Sequence, residues 1–230
     1  MPLPKAIRRL TPDRVRHDVR LRALGVGSGL IPPRLMHTRE EADLLAGLAA
    51  GRRTAVEIGV YEGSSALVLV RALPVDAVLH LIDPFVDSRG LAAGWRGTAW
   101  ATRRLVERAV RGRGGPTLRW HVERSQDAGR RWAEPVDLVF VDGDHALEAC
   151  RLDWELFGPW VKPGGIVVFH DARMGLPGGE GLPGEGGVDG PTALVDELFR
   201  GPGAVDGWRI RAELHTTVAV ERGGSGGWAQ

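Results

Sequence analysis

Apolar and polar positions follow one another in short blocks that predict strands and helices in turn. Short apolar runs, typical of strands buried on both faces, alternate with longer segments in which apolar residues recur every three to four positions. The predicted strands are Thr54–Ile58, Val78–Ile82, Thr117–Val122, Val136–Val141, Ile166–His170, Trp208–Leu214 and Thr216–Glu221. The predicted helices between them are Ser64–Leu73, Thr98–Arg111, Gln126–Trp132, Ala146–Phe157 and Pro191–Phe199. This order predicts an α/β fold with a doubly wound, mostly parallel sheet and helices on both faces.

The chain is expected to form a single domain over residues 1–230, with two segments outside the alternating pattern. Residues 1–50 are interpreted as an N-terminal arm and cap helix: an arginine-rich stretch, a loop over 25–33, and a helix with a capping box formed by Thr38 and Glu41. The arginine-rich stretch is either a solvated helix or loose arm, or a basic arm for an acidic partner. The glycine-rich segment 173–190 is a surface insertion or a lid.

Charge and cysteine content exclude several classes of protein. The net charge of +1 provides no strong field for nucleic acid or membrane. Cys150 is the only cysteine, which excludes a disulfide within the chain and a zinc site of several cysteines. No apolar run has the length of a membrane span or a signal peptide. We therefore expect a cytoplasmic protein that acts on a small molecule, and the sequence leaves open whether it is a homo-oligomer.

A glycine-containing loop follows the first predicted strand and predicts a cofactor site. Gly59 permits a tight turn and Gly63 opens the next helix, but Tyr61 stands where a dinucleotide-binding loop has its second glycine. The acidic Glu57 suits an amine-bearing ligand better than a phosphate. Asp83 ends the second strand, where a carboxylate can accept ribose hydroxyls. The candidate cofactor-binding residues are Glu57, Gly59, Tyr61, Gly63, Ser64, Asp83, Ser125, Gln126 and Asp142.

Carboxylates and histidines follow the fourth and fifth predicted strands. They are Asp142, Asp144, His145, His170 and Asp171. Because parallel strands end at one edge of the sheet, we expect these groups to lie close together, where carboxylate oxygens and an imidazole form a divalent-cation site. The structural alternative is that Asp142 and His145 only cap the following helix.

These motifs together resemble the class I S-adenosylmethionine (SAM) dependent methyltransferases. The stretch from Ser125 to Asp171 resembles the metal-dependent O-methyltransferases of the catechol and macrocin types, and the resemblance covers roughly residues 38–222. It implies a Rossmann-like, seven-stranded sheet whose last strand is antiparallel. It also implies that Ser125 and Gln126 lie against adenine.

The same resemblance implies roles for the residues at the ends of the fourth and fifth strands. Asp142 is the first metal ligand, and His170 with Asp171 is the pair that completes the site. His145 falls at the position of the general base. His170 replaces a residue that is usually acidic or an amide, so Asp144 is an alternative ligand.

The function predicted is O-methylation with SAM and a divalent cation such as Mg²⁺. The acceptor hydroxyl belongs to a sugar or vicinal diol of a glycosylated natural product, or alternatively to a phenol or catechol. A neutral hydroxyl is a poor nucleophile, so a metal and an imidazole base both have a role. A SAM-binding accessory protein without methylation activity is the alternative of a different class.

Overall fold

In the computed structural model, residues 18–86, 98–174 and 189–224 are described. The arginine-rich residues 1–17 and most of the segment 173–190 lie outside these ranges, so the arm and the lid stay predictions, as does the single-domain organisation. Within the described ranges, no helix has the length and apolar character needed to cross a membrane.

Seven strands form one sheet in the order β3-β2-β1-β4-β5-β7-β6. Their bounds are β1 Thr54–Ile58, β2 Val78–Ile82, β3 Thr117–His121, β4 Val136–Val141, β5 Val161–Phe169, β6 Trp208–Leu214 and β7 Thr217–Arg222. Strands β1 to β5 pair in parallel, whereas β7 is antiparallel to both β5 and β6. The predicted mostly parallel sheet with an antiparallel last strand is confirmed.

The helices described are α1 Val19–Ser28, α2 Arg39–Ala49, α3 Ser64–Ala72, α4 Ala99–Arg113, α5 Ser125–Gly129, α6 Leu147–Phe157 and α7 Gly190–Val195. A short 3₁₀ turn, Gly158–Trp160, follows α6, and a π-helical turn, Asp196–Arg200, continues α7. The predicted capping box of α2 is present, because Thr38 accepts from the amide of Glu41 and the Glu41 carboxylate accepts from the amide of Thr38.

Two apolar cores cover the two faces of the sheet. One is built with side chains from α1 to α4 and contains Leu79, Leu81 and Leu138. The other is built with α5, α6 and α7 and contains Val139 and Val141. Successive strand residues point to opposite faces, so a strand buried on both sides needs a continuous apolar run. That requirement explains why the central strands were recognisable from sequence.

Helix α1 corrects the prediction of a loop over 25–33, because residues 25–28 are helical. Two glycines lie inside this helix, where they cost helix propensity. A Cβ at Gly27 would lie 2.9 Å from the Trp100 ring and 3.2 Å from the Ala101 Cα, so glycine permits α1 to lie close against α4. Tertiary packing therefore overrides the local preference for a loop. The Trp100 ring contributes to this helix contact.

Asp137 lies on β4 and forms hydrogen bonds to the start of β1 and to β5, so it connects three neighbouring strands of the sheet. Its carboxylate accepts from the backbone amides of Arg53 and Thr54 at 2.9 Å, and from Lys162 Nζ at 2.9 Å. Burial alone would raise the pKa of Asp137, but the hydrogen bond from Lys162 and those from the two amides outweigh it and lower the pKa. The ionised carboxylate therefore stabilises the folded state.

We expect Asp137→Asn to lower the free energy of unfolding by about 1–2 kcal/mol at pH 7, because charge-assisted hydrogen bonds become neutral ones. The folded-state pKa is depressed, so this stabilisation is complete above the unfolded pKa and is lost as pH falls through the folded value. Urea unfolding at several pH values should show the difference between wild type and variant narrowing below about pH 4. A difference that stayed constant down to acid pH would contradict this account.

Candidate active site

The ends of β4 and β5 place Asp142 and His170 side by side. The parallel register pairs Ile58 with Val141 and Val141 with Phe169. The ladder continues one residue further, since the Asp142 amide donates to Ile58 O at 2.9 Å and the His170 amide donates to Val141 O at 3.1 Å. The convergence of the two strand ends that the sequence predicted is therefore present.

Four side chains meet at this edge of the sheet and form what we call the Asp/His cluster: Asp142, His145, His170 and Asp171. The His170 Nδ1 atom lies 3.3 Å from Asp142 Oδ1 and 3.4 Å from Asp171 Oδ2. His145 Nε2 lies 3.0 Å from Asp171 Oδ2 and 3.7 Å from Asp142 Oδ1. All four residues that the sequence assigned to metal binding and proton transfer are thus in mutual contact range.

Three members of the cluster have the arrangement of metal ligands. One potential ligand atom from each of Asp142, His170 and Asp171 lies within 4.8 Å of the others. His170 Nδ1 and Asp171 Oδ1 are buried and form no hydrogen bond of good geometry within the described part of the chain. Burying such atoms unpaired is costly, and a cation between them would remove the cost. Two carboxylates and one imidazole fit a divalent metal ion of hard or borderline character.

The charges of the cluster are strongly coupled. Burial alone would lower the pKa of His170, but Asp142, Asp171 and Glu41 outweigh it and raise this pKa well above its ordinary value. Burial would likewise lower the pKa of His145, yet the contacts with Asp171 and Asp142 raise it. The two imidazoles in turn lower the pKa of Asp171 against the effect of burial. The carboxylates of the cluster therefore favour the protonated form of both imidazoles.

Asp144 occupies a different position from the Asp/His cluster. It is exposed, and its Oδ1 atom accepts from the Ala146 amide at 3.1 Å, where helix α6 begins. The N-cap of α6 is Ala146, and no side chain caps the helix there, so neither Asp142 nor His145 has the capping role that was considered for it. The geometry favours His170 over Asp144 as the third candidate ligand.

The loop after β1 passes close under the end of β4. Gly59 has φ +87°, and a Cβ there would lie 2.0 Å from the carbonyl oxygen of Asp142, so only glycine permits this approach. Gly63 has φ +91° and precedes α3, as predicted. Tyr61 also adopts a positive φ of 50°, which is uncommon for a residue with a side chain.

Asp83 supports this loop directly. Its Oδ2 atom accepts from the amides of Val60 at 2.8 Å and Tyr61 at 2.7 Å, and its Oδ1 atom accepts from the Phe85 amide at 2.6 Å. An ionised carboxylate has about four acceptor positions, so roughly one remains for a ligand hydroxyl. Burial raises the pKa of Asp83, although these three bonds oppose the shift.

Glu57 lies under the same loop and is fully buried. Its Oε1 atom accepts from the Ser65 hydroxyl, while Oε2 has no partner among the described residues. Burial, with the charges of Asp142 and Asp83, raises the pKa of Glu57 well above its ordinary value. A cationic ligand group nearby would favour its ionised form. Ser64, the next candidate along the loop, is buried at the start of α3.

Ser125 and Gln126 begin helix α5 at the end of β3, and both are half-buried. Burial raises the pKa of Asp153, a carboxyl group of α6, to about 7, and the neighbouring Ser125 opposes this shift. In the sheet order, β2 and β1 therefore lie between the strand that precedes the proposed adenine contacts and the strands that carry the Asp/His cluster.

Sequence reasoning missed three buried acidic residues around the site: Glu41, Glu62 and Asp153. Glu41 accepts from Thr216 and Thr217 at the β6–β7 turn and lies 3.9 Å from His170 Nε2. Glu62 pairs with arginines from the N-terminal part of the chain. For Glu41, the capping box with Thr38 predicted a defined position at the start of α2. It did not predict the contacts of Glu41 with Thr216, Thr217 and His170.

The fold and this edge of the sheet together define a class I methyltransferase, and comparison with known proteins agrees. The sequence profile of the family described as "Methyltransferase domain" matches residues 56–172. A Mycolicibacterium smegmatis protein, provisionally named as an O-methyltransferase, is 30% identical over 179 residues, covering 74% of this chain and 73% of the relative.

Solved structures share the fold. The O-methyltransferase TomG from Streptomyces achromogenes, in complex with SAM, superposes with a TM-score of 0.56 at 24% identity, and 90% of each chain is covered. An O-methyltransferase from Bacillus cereus in complex with SAH gives a TM-score of 0.58 at 17% identity, covering 89% of this chain and 90% of the other. The chain belongs to this methyltransferase family, the class I SAM-dependent O-methyltransferases.

Proposed function

We propose that the protein transfers the methyl group of SAM to a hydroxyl of a small molecule, with a divalent cation at Asp142, His170 and Asp171 and with His145 as general base. The observation that carries this proposal is the convergence of those three potential ligands, with two buried unpaired atoms, beside the Nε2 atom of His145.

The cofactor site that we propose lies along the ends of β1, β2 and β3. Gly59 and Gly63 shape the loop beside the amino-acid part of SAM, and the unpaired Oε2 of Glu57 favours a ligand that carries positive charge, as SAM does. Asp83 retains about one acceptor position for a ribose hydroxyl. Ser125 and Gln126 would receive the adenine ring.

The chemistry requires a hydroxyl oxygen in line with the sulfonium methyl group, so positioning is the main task of the protein. A divalent cation bound at this site would lower the pKa of the acceptor hydroxyl. His145 is half-buried, and its Nε2 atom faces the carboxylates of Asp142 and Asp171. With the Nε2–H facing Asp171, the neutral ring can take the hydroxyl proton at its other nitrogen, Nδ1, and Asp171 stabilises the resulting imidazolium.

The proposed acceptor is a sugar hydroxyl or vicinal diol on a glycosylated natural product. Two neighbouring hydroxyl oxygens would complete a site in which the protein provides only three ligands. The solved neighbour TomG is described as involved in tomaymycin synthesis, which is consistent with an acceptor of the natural-product type. Phenols and catechols form the second acceptor class to test.

We expect methyl transfer from labelled SAM to depend on the cation. EDTA should reduce turnover roughly 100-fold or more, added Mg²⁺ should restore it, and Asp142→Asn should abolish the restoration. The panel of acceptors contains glycosides with vicinal diols, catechols and simple phenols. Binding of Mn²⁺, measured by electron paramagnetic resonance, reports the same site without turnover.

Asp144→Asn is the matched control, because Asp144 is the neighbouring exposed carboxylate and asparagine retains its turn with Ala146. It should bind Mn²⁺ with wild-type affinity. Equal loss of Mn²⁺ binding in both variants would place the metal elsewhere. SAM binding without turnover on any acceptor would instead favour an accessory protein.

A further inference from the structure

Glu41 of α2 is a buried carboxylate, 4% exposed, that is held by hydrogen bonds from two parts of the chain. At the start of its own helix, its Oε2 atom accepts from the amide and the hydroxyl of Thr38 at 2.9 and 3.1 Å. At the β6–β7 turn, its Oε1 atom accepts from the amide and the hydroxyl of Thr216 at 3.0 and 2.7 Å, and from the Thr217 hydroxyl at 3.1 Å. These donors fix the position of the carboxylate and favour its ionised form.

One ring nitrogen of His170 lies among the carboxylates of the Asp/His cluster, and the other lies beside Glu41. The Nδ1 atom is 3.3 Å from Asp142 Oδ1 and 3.4 Å from Asp171 Oδ2. The Nε2 atom is 3.9 Å from Glu41 Oε2, the separation of an ion pair rather than of a hydrogen bond. Nε2 is buried and forms no hydrogen bond within the described ranges. A proton on Nε2 is therefore attracted to Glu41, which leaves the lone pair of Nδ1 for a cation.

We propose that Glu41 is a positioning residue that holds the ring proton of His170 at Nε2 and so presents Nδ1 to the divalent cation. This inference rests on the proposed function, since it takes His170 as a metal ligand. A carboxylate beside the second nitrogen of a ligating imidazole fixes the tautomer and makes the ring a better ligand. Because Glu41 acts only through His170, its effect should appear in the affinity for the cation.

Glu41→Gln tests this role, because glutamine keeps the length of the side chain and one acceptor oxygen but removes the charge. We expect Mn²⁺ binding, measured by electron paramagnetic resonance, to weaken about 10–100-fold. Glu41 is not among the candidate cofactor-binding residues. The affinity for SAH, measured by titration calorimetry, should therefore change less than about twofold.

Thr217→Val is the matched control for an anchoring role of Glu41. The β6–β7 turn also holds the chain after Asp171, since the Thr216 carbonyl accepts from the Ala172 amide at 2.7 Å. Thr217→Val removes one hydrogen bond between this turn and Glu41 but leaves the charge beside His170. Mn²⁺ affinity should therefore stay within about threefold of wild type.

Nitrogen NMR spectra of wild-type protein with isotope-labelled histidine and Mg²⁺ give a readout that needs no Glu41 variant. The His170 signal, assigned by its absence in His170→Asn, should show the proton on Nε2. A proton on Nδ1, equal weakening of Mn²⁺ binding by Thr217→Val, a parallel loss of SAH affinity, or unchanged Mn²⁺ binding in Glu41→Gln would each overturn the assignment. A wild-type protein that binds no Mn²⁺ would overturn the metal proposal itself, which separates the two failures.

Discussion

Replacing His145 by alanine is expected to lower kcat by roughly 10²–10⁴-fold, the range for loss of a positioned general base. His145 Nε2 lies 3.0 Å from Asp171, so the ring is already oriented toward the carboxylates of the cluster. His145 is not among the candidate cofactor-binding residues, so the SAH affinity should change less than threefold. Single-turnover transfer from labelled SAM measures the chemical step directly.

The pH profile provides a second readout of the same residue. Only neutral imidazole accepts a proton, so the wild-type rate should fall as pH decreases through the pKa of His145, and the His145→Ala profile should lose this dependence. His37→Ala is the control, since His37 lies before α2 and its Nδ1 atom hydrogen-bonds to the Thr38 carbonyl oxygen at 3.0 Å. A His145→Ala rate within threefold of wild type would remove His145 from the mechanism.

Replacing Glu62 by alanine is expected to lower the free energy of unfolding by about 3 kcal/mol, as for a broken buried ion pair. Glu62 is fully buried, and it accepts from Arg22 Nε at 2.6 Å, the Arg34 amide at 2.7 Å and Arg34 Nη1 at 3.0 Å. The substitution leaves these donors without their acceptor. For a chain of this size the midpoint of thermal unfolding should fall by about 6–12 °C.

Asp76→Ala is the matched control for Glu62. Asp76 also pairs with an arginine, Arg53, but both side chains are exposed. Removal of such a surface pair should cost less than about 0.5 kcal/mol. Because Glu62 lies between Tyr61 and Gly63 in the cofactor loop, Glu62→Ala should also weaken SAH binding, whereas Asp76→Ala should not. Equal stability of the two variants would show that the buried pair contributes little.

The two N-terminal helices, α1 and α2, therefore help to hold the candidate site in place. Arg22 of α1 reaches Glu62 in the cofactor loop, and Glu41 of α2 lies 3.9 Å from His170. Neither acidic residue is expected to touch substrate. Each holds an element that carries a candidate binding or metal-ligating residue.

Local pattern was sufficient for the strands, most helices and the candidate cluster. The central strands are continuous apolar runs because both faces of the sheet are covered. The strands can therefore be recognised from the sequence alone. Asp142, His145, His170 and Asp171 were predicted to meet because parallel strands end at one edge, and the observed register places them within contact range.

What the sequence alone determined is therefore what depends on spacing within a strand or across one turn: the α/β order, the glycine loop and the convergence of two strand ends. Only the tertiary structure decided the helical state of residues 25–28 and the burial of Glu62 and Asp153. Those features depend on side chains that approach from distant parts of the chain, as Trp100 does at Gly27 and Arg22 at Glu62. The spacing of residues along the sequence does not reveal such contacts, because they join residues that are distant in the chain and meet only in the folded structure.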